Sequence, residues 1–218
     1  YDMAGRLKEQ TDAANLTTTY AYADGGRTTT VTRPGNLTEI TERYLDGRVK
    51  RVSGSGVVER NYVYGVNADG SQWTTVYTGQ GVANFLTTTT NLLGQTIREE
   101  RPGYGGVTLT TTMTYNTRGQ LTRVETPGEA ATLYGYDALG QQTRSGLDIT
   151  GDGVLNAGDR ISVAATRYAK DGGVWWQIAE SGLEGETTLS KSRLTGLGAP
   201  SAEGVLTGET VTIDADGR

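Results

Sequence analysis

A short phrase, Tyr-x-Tyr-Asp-x-x-Gly, recurs along the chain and restricts what it can fold into. It is fullest at Tyr134-Gly135-Tyr136-Asp137-Ala138-Leu139-Gly140. The chain opens inside one copy, Tyr1-Asp2-Met3-Ala4-Gly5-Arg6-Leu7, and Met113-Thr114-Tyr115-Asn116-Thr117-Arg118-Gly119 is another. Thr88-Thr89-Thr90-Asn91-Leu92-Leu93-Gly94 keeps the glycine and replaces both tyrosines with threonine. Tyr20-Ala21-Tyr22-Ala23-Asp24-Gly25-Gly26 moves the aspartate, and Tyr44-Leu45-Asp46-Gly47 is one residue shorter. Gly5, Gly26 and Gly47 stand 21 residues apart, as do Gly119 and Gly140. A fixed period of about twenty residues marks a repeat architecture, in which each unit buries its face only against its neighbours.

One unit reads as a β-hairpin. Leu16, Thr18, Tyr20 and Tyr22 alternate, as do Leu109, Thr111, Met113 and Tyr115, so each set shares one face of a strand. Thr and Tyr suit a pleated, half-buried surface. The Asp or Asn starts a turn through its side-chain oxygen, and the glycine supplies a positive φ. Asp46-Gly47 predicts a two-residue hairpin turn between strands 37–45 and 48–52. Residues 65–86 interrupt the period. Residues 161–218 keep strand-like alternation without the phrase, as in Val174-Trp175-Trp176-Gln177-Ile178, which puts one Trp on each face. The fold class is therefore all-β: repeated hairpins forming a large twisted antiparallel sheet. Its organisation is a hairpin array over 1–145, a loop insertion over 146–160, and continuing sheet over 161–218.

The phrase resembles the YD repeats of Rhs proteins, of the cocoon components of bacterial toxin complexes, and of the teneurin barrel. Residues 5–22 are similar to that family's whole unit, with Gly5-Arg6-Leu7, then Thr11-Asp12, then Thr17-Thr18-Thr19-Tyr20-Ala21-Tyr22. The resemblance implies a segment of a hollow shell, spiral or barrel, in a large bacterial secreted or surface protein. Such shells enclose or present a C-terminal cargo, often a toxin. The partners so implied are the rest of the same polypeptide shell and that cargo. The Asp-Pro-x-Gly step of the family's autoproteolytic core is absent, because no Asp-Pro occurs. The chain starts on a repeat without Met and is read as a fragment of a longer protein.

Composition removes several chemistries. There are no histidines and no cysteines among the 218 residues. Ser-His-Asp and Cys-His catalysis, His-ligated zinc and disulfides are thereby excluded. Only 35% of residues are hydrophobic, which argues against a thick helical core. The net charge of −5 comes with no basic stripe, so nucleic acid is not an expected partner. No apolar run reaches the roughly twenty residues of a membrane helix.

One stretch carries site chemistry. Asp148-Ile149-Thr150-Gly151-Asp152-Gly153-Val154-Leu155-Asn156-Ala157-Gly158-Asp159 has oxygen donors at positions 1, 3, 5, 9 and 12. Gly153 stands at position 6, where such a loop turns sharply, and apolar Leu155 stands at position 8 as an anchor. Calcium takes six to eight hard oxygens at flexible angles. The expected ligands are Asp148, Thr150, Asp152, the Val154 carbonyl, Asn156 and Asp159, and the expected cofactor is Ca2+. The stretch resembles EF-hand and dockerin loops, with a dockerin-like terminal Asp. The flanks depart from those families, since neither side has a helical stripe. A calcium loop set into a strand connection is the expectation.

Other candidates are weaker. Trp73, Trp175 and Trp176 suggest a sugar-stacking platform, and the alternative function is an extracellular adhesin module that binds cell-surface carbohydrate. Glu99, Glu100 and Asp137 carry carboxylates, but nothing in the sequence fixes the separation that glycoside hydrolysis needs. The expected role is structural, not enzymatic.

Overall fold

The computed structural model describes residues 1–171, 173–186, 188–193 and 209–213. The strands are β1 (Glu9–Thr11), β2 (Thr17–Ala23), β3 (Thr28–Arg33), β4 (Leu37–Arg43), β5 (Val49–Ser53) and β6 (Arg60–Val66). They continue with β7 (Gln72–Thr78), β8 (Phe85–Thr90), β9 (Thr96–Pro102), β10 (Thr108–Tyr115), β11 (Leu121–Glu125) and β12 (Thr132–Tyr136). The last are β13 (Gln142–Leu147), β14 (Arg160–Asp171), β15 (Val174–Leu183), β16 (Thr188–Arg193) and β17 (Glu209–Ile213). Among the described residues the helical segments are two short 3-10 turns, Asp24–Gly26 and Tyr104–Gly106. The all-β hairpin array is the observed fold. Of the strand expected over 205–213, residues 205–208 lie outside the described residues.

Two compact units divide the chain, Tyr1–Thr111 and Thr112–Arg218. In the first, β1 to β8 each pair antiparallel with the next strand, and β8 pairs with β9. In the second, β10 to β17 do the same. A meander of this kind puts alternate connections on the same edge of its sheet. In the first unit the Tyr-Asp turns 44–48, 67–71 and 91–95 therefore share one edge. In the second, turns 116–120 and 137–141 share an edge, and connections 126–131 and 148–159 lie on the opposite one.

Period-two patterning decides the faces. In β2, Thr18, Tyr20 and Tyr22 are half-buried while Thr19 and Ala21 are exposed. Threonine pairs stitch neighbouring strands: Thr75 and Thr87 face each other in register with their Oγ atoms 2.8 Å apart. Little of either unit is fully buried. Among the described residues the buried apolar side chains are Ala131, Leu133, Ile161 and Ile178, all in the second unit. These units are thin sheets held by ladders, turns and side-chain pairs rather than by a thick apolar core.

The Asp46-Gly47 turn differs from the two-residue expectation. Tyr44 N–H donates to Arg48 O at 2.9 Å and Gly47 N–H to Tyr44 O at 3.0 Å, so the turn spans Tyr44–Arg48. A two-residue type I′ turn needs positive φ at both central residues. Here Gly47 is positive at 86°, and Asp46 is not among the residues with positive φ. The structure has a one-glycine bulge turn, with the register shifting between Glu42 and Arg43.

Candidate functional site

The repeated phrase builds one recurring clamp. At Asn116–Gln120, Asn116 N–H donates to Gln120 O and Gly119 N–H donates to Asn116 O, both at 2.9 Å. The Asn116 Oδ1 then accepts the N–H groups of Arg118 (2.9 Å) and Gln120 (3.0 Å). Asp2 and Asn91 use their side-chain oxygens in the same way. The second tyrosine of the phrase reaches across the neighbouring strand. Tyr22 Oη donates to Leu7 O (2.9 Å), Tyr64 Oη to Val49 O (2.9 Å), and Tyr136 Oη to Leu121 O (2.7 Å). Each of these bonds spans 15 residues. Each starts near the end of one strand and ends at the carbonyl that follows the Tyr-Asp turn one hairpin earlier. Thr90, which replaces a tyrosine, donates more weakly to Gln72 O at 3.4 Å.

Arginine ties the turn to the clamp. Arg6 lies 4.3 Å over the Tyr22 ring and bridges to Asp2 at 2.7 Å; Arg48 lies 4.4 Å over Tyr64 and bridges to Asp46 at 2.7 Å. A cation held over a ring face adds about 0.5–1 kcal/mol at an exposed site. Hydrogen bonds from Arg6 hold the Asp2 carboxyl below its ordinary value, and those from Arg48 do the same for Asp46. Burial pushes the Tyr64 and Tyr136 phenols up. Alternation along a strand reveals which face a tyrosine occupies; the carbonyl that receives its hydroxyl is not visible in the sequence except as the constant spacing.

The predicted ligand stretch is the connection between β13 and β14. Leu147 pairs with Arg160, so the last rung holds Asp148 and Asp159 side by side at the loop base. Asp148 is 5% exposed, and its N–H donates to Ala131 O at 2.8 Å. Its Oδ2 accepts the Gly153 N–H at 3.1 Å, while its buried Oδ1 has no hydrogen-bond partner. Leaving a buried acceptor unsatisfied costs about 1–3 kcal/mol, and more when it is charged. Asp159 is fully engaged. Its Oδ1 accepts from Ile149 N–H (2.8 Å) and Thr150 N–H (3.2 Å), and its Oδ2 from Asn156 N–H (3.1 Å). These bonds, the one from Asn156 foremost, hold its carboxyl below the ordinary value. Asp152 accepts from Val154 N–H (2.9 Å) and from Asn156 Nδ2 (2.7 Å). The Asn156 Oδ1 accepts from Gly158 N–H at 3.0 Å. Among the described residues no three His, Cys, Asp or Glu side chains converge into a ready metal group. The loop thus holds every predicted ligand in one connection but does not gather its carboxylates on one point.

Leu155 seats the loop on the sheet. A Cβ added at Gly146 would lie 3.1 Å from a Leu155 methyl, and one added at Gly135 would lie 3.8 Å from the other. Gly146 sits in register between Leu133 and Ile161, which are both buried. The loop folds over this glycine gap, on the face opposite Tyr134 and Tyr136, and helps to bury its neighbours.

Trp73 lies on β7, and Trp175 and Trp176 lie on β15. Trp73 stands in register opposite Gly65, and a Cβ at Gly65 would lie 2.3 Å from its indole. The ring thus fills the space that the glycine leaves, beside a depression of about 450 Å³ bordered by Arg48, Tyr64 and Thr88. Trp175 is 46% exposed, opposite Lys170, and Trp176 is half-buried opposite Ala169. Glu99 pairs in register with Thr88, while Asp137 caps its own turn by accepting the Gln141 N–H at 2.9 Å.

Comparison with known proteins bears on the clamp. Residues 1–38 and 115–146 match the family described as RHS Repeat. Two stretches of this chain are similar to RHS repeats. Each matched stretch contains one complete clamp, Tyr22 to Leu7 in the first and Tyr136 to Leu121 in the second. The Tyr64 to Val49 clamp repeats the geometry outside both RHS matches. Among solved structures, "Crystal Structure of TcdB2-TccC3-Cdc42" matches at 12% identity over 100% of this chain, with a TM-score of 0.31. "Crystal Structure of TcdB2-TccC3" matches at 12% identity over 100% of this chain, with a TM-score of 0.27. This chain spans 17% and 15% of the length of those two chains. No curated protein matches it. Among the described residues no helix is long and apolar enough to cross a membrane.

Proposed function

We propose that this chain is a wall segment of a large Rhs-type protein, in which the repeated hairpins form part of a shell that encloses or presents a cargo on the same polypeptide. One observation supports this most. The polar atoms of the repeated phrase are spent on the chain's own backbone: the Asx oxygens cap turns, and Tyr22, Tyr64 and Tyr136 each close a neighbouring strand. A phrase selected for ligand contact would turn such groups outward. The partners in this reading are the remainder of the shell and its cargo, and the setting is secreted or cell-surface, as for Rhs-type proteins.

The test uses the complete parent protein. The cargo is mapped by limited proteolysis in the parent and in a version lacking residues 1–145. In a shell, the cargo resists protease in the parent and is digested in the deletion, with any cargo activity unchanged. Equal digestion of the cargo in both proteins would sink this function.

A further inference from the structure

We propose that residues 148–159 form a calcium clasp, with Asp148 Oδ1 as its buried anchor ligand and Leu155 as the lever that couples the cation to β12, β13 and β14. This goes beyond the wall reading and does not depend on it.

Two independent observations converge. The first is the donor set: the Asp148, Asp152 and Asp159 carboxylates, the Thr150 hydroxyl, the Val154 carbonyl and the Asn156 amide oxygen, all within one connection. Every one is a hard oxygen donor, and three carry charge, which selects a divalent hard cation over soft metals. The second is the state of Asp148. At 5% exposure its carboxylate is fixed by one oxygen, which accepts the Gly153 N–H, while the other oxygen is buried with no donor. The bond from Gly153 ties the carboxylate to the loop's own sharp turn. A cation there supplies the missing partner.

Binding would rearrange neighbours that now satisfy one another. Asp152 Oδ2 and Asn156 Nδ2 share a 2.7 Å bond; separating them frees a carboxylate oxygen and lets the Asn156 amide turn its oxygen inward. Asp159 exchanges part of its set of backbone N–H partners for the cation. Gly151 and Gly153, at φ of 73° and 79°, give the backbone room to adjust, which suits calcium's flexible shell better than magnesium's tight octahedron. Leu155 sits on Gly146 and Gly135, so tightening the loop presses on β12 and β13. The cation then protects strands that it does not touch.

The experiment uses the 218-residue chain stripped of metal, with calcium chloride or magnesium chloride as the only added ion. Calorimetry is expected to show one saturable calcium site with a Kd of about 10⁻⁴–10⁻³ M and a much weaker magnesium response. At about a hundredfold excess over Kd the melting temperature should rise by about 5–10 °C. Hydrogen exchange should slow in 132–136, 142–147 and 160–171, with β2 to β8 unchanged. Asp148→Asn keeps the shape and should remove the response, while Asp137→Asn, in a Tyr-Asp turn, should keep it. Should Asp148→Asn fold poorly, Asp152→Asn at an exposed position serves as the second variant and should weaken calcium binding at least tenfold. The proposal is overturned by the absence of heat and melting shift up to about 10 mM calcium, well above the weakest extracellular sites. It is equally overturned by a calcium response that survives both substitutions, or by one that magnesium reproduces at the same concentration.

Discussion

Asn116 in a Tyr-Asp turn and Asp148 in the 148–159 connection are both Asx residues near glycines, and they end in opposite states. In the Asn116–Gln120 turn, one Asx oxygen accepts two backbone N–H groups within five residues. In the long connection, Asp148 meets a single N–H and keeps one buried oxygen bare. The difference is one of length. A five-residue turn curls tightly enough to bring its own N–H groups onto the cap. The twelve-residue loop curls onto its own Asp159 carboxylate instead, and adds support through Leu155 on a glycine gap. Asn116 is satisfied by its own turn, whereas Asp148 keeps one buried oxygen without a donor.

The sharpest way to break this comparison is to fill the glycine gap. At Gly146 a Cβ would lie 2.6 Å from Arg160 O and 3.1 Å from Ile161 Cα, both backbone atoms. Gly146→Ala should therefore cost about 1–3 kcal/mol in urea unfolding, as overpacking does. At Gly94, with φ of 76° and nothing within 4 Å, Gly94→Ala adds only backbone strain of about 1–2 kcal/mol. Measured together, the two should differ in kind: Gly146→Ala should loosen 148–159 in hydrogen exchange, and Gly94→Ala should not. A tight 148–159 loop in Gly146→Ala would mean that Leu155 is not seated where the structure puts it. Leu155→Ala should follow at about 1–2 kcal/mol, less than for a fully buried leucine because Leu155 is half-buried. Its effect should stay within the second unit, and an equal loss of protection in β2 to β8 would contradict the local role of the loop.

The clamp comes next in size. Tyr64→Phe and Tyr136→Phe each remove one hydroxyl and should cost about 0.5–1.5 kcal/mol. The two losses should add, because the sites share no partner. Tyr168, exposed on β14 outside any copy of the phrase, is the control, and Tyr168→Phe should be neutral. A neutral Tyr136→Phe would remove the clamp from the list of what holds the hairpins.

The smallest effect is acid sensitivity. Asp2, Asp46, Asp69 and Asp159 all have carboxyls held below the ordinary value of 3.8. A depressed folded-state pKa contributes stability above the unfolded value, which is lost as pH falls through the folded value. Acid unfolding should therefore begin to bite below 3.8. Asp46→Asn should lower stability at neutral pH and flatten that acid limb. An Asp46→Asn protein with the parent's acid limb would show that the Arg48 pairing contributes nothing measurable, as is common for exposed pairs.

Much of this was legible in the residues. The alternation of Thr18, Tyr20 and Tyr22 gave the strand and its face, and each glycine after Asx marked a turn. The donor spacing singles out 148–159, and in the structure this stretch is the connection closed by the Leu147–Arg160 rung. Other features were hidden for identifiable reasons. Asp46-Gly47 looks like a two-residue turn because that dipeptide favours one, yet the bulge after Glu42 shifts the turn to start at Tyr44. The seating of Trp73 against Gly65 depends on cross-strand register, which no local pattern encodes. The bare oxygen of Asp148 is likewise a property of burial, and spacing alone could not distinguish it from Asp152 or Asp159.

The tyrosine bond has a consequence for how such chains grow. Leu7 to Tyr22, Val49 to Tyr64 and Leu121 to Tyr136 each run out along one strand, around a connection and back along the next. The backbone closes the far end of that path, and the hydroxyl closes the near end. Each of these three hairpins is in effect a ring with one non-covalent link. A ring carries its own register, so a genetic duplication can insert a whole one without re-registering its neighbours. Cutting such a ring open would leave a tyrosine without its carbonyl.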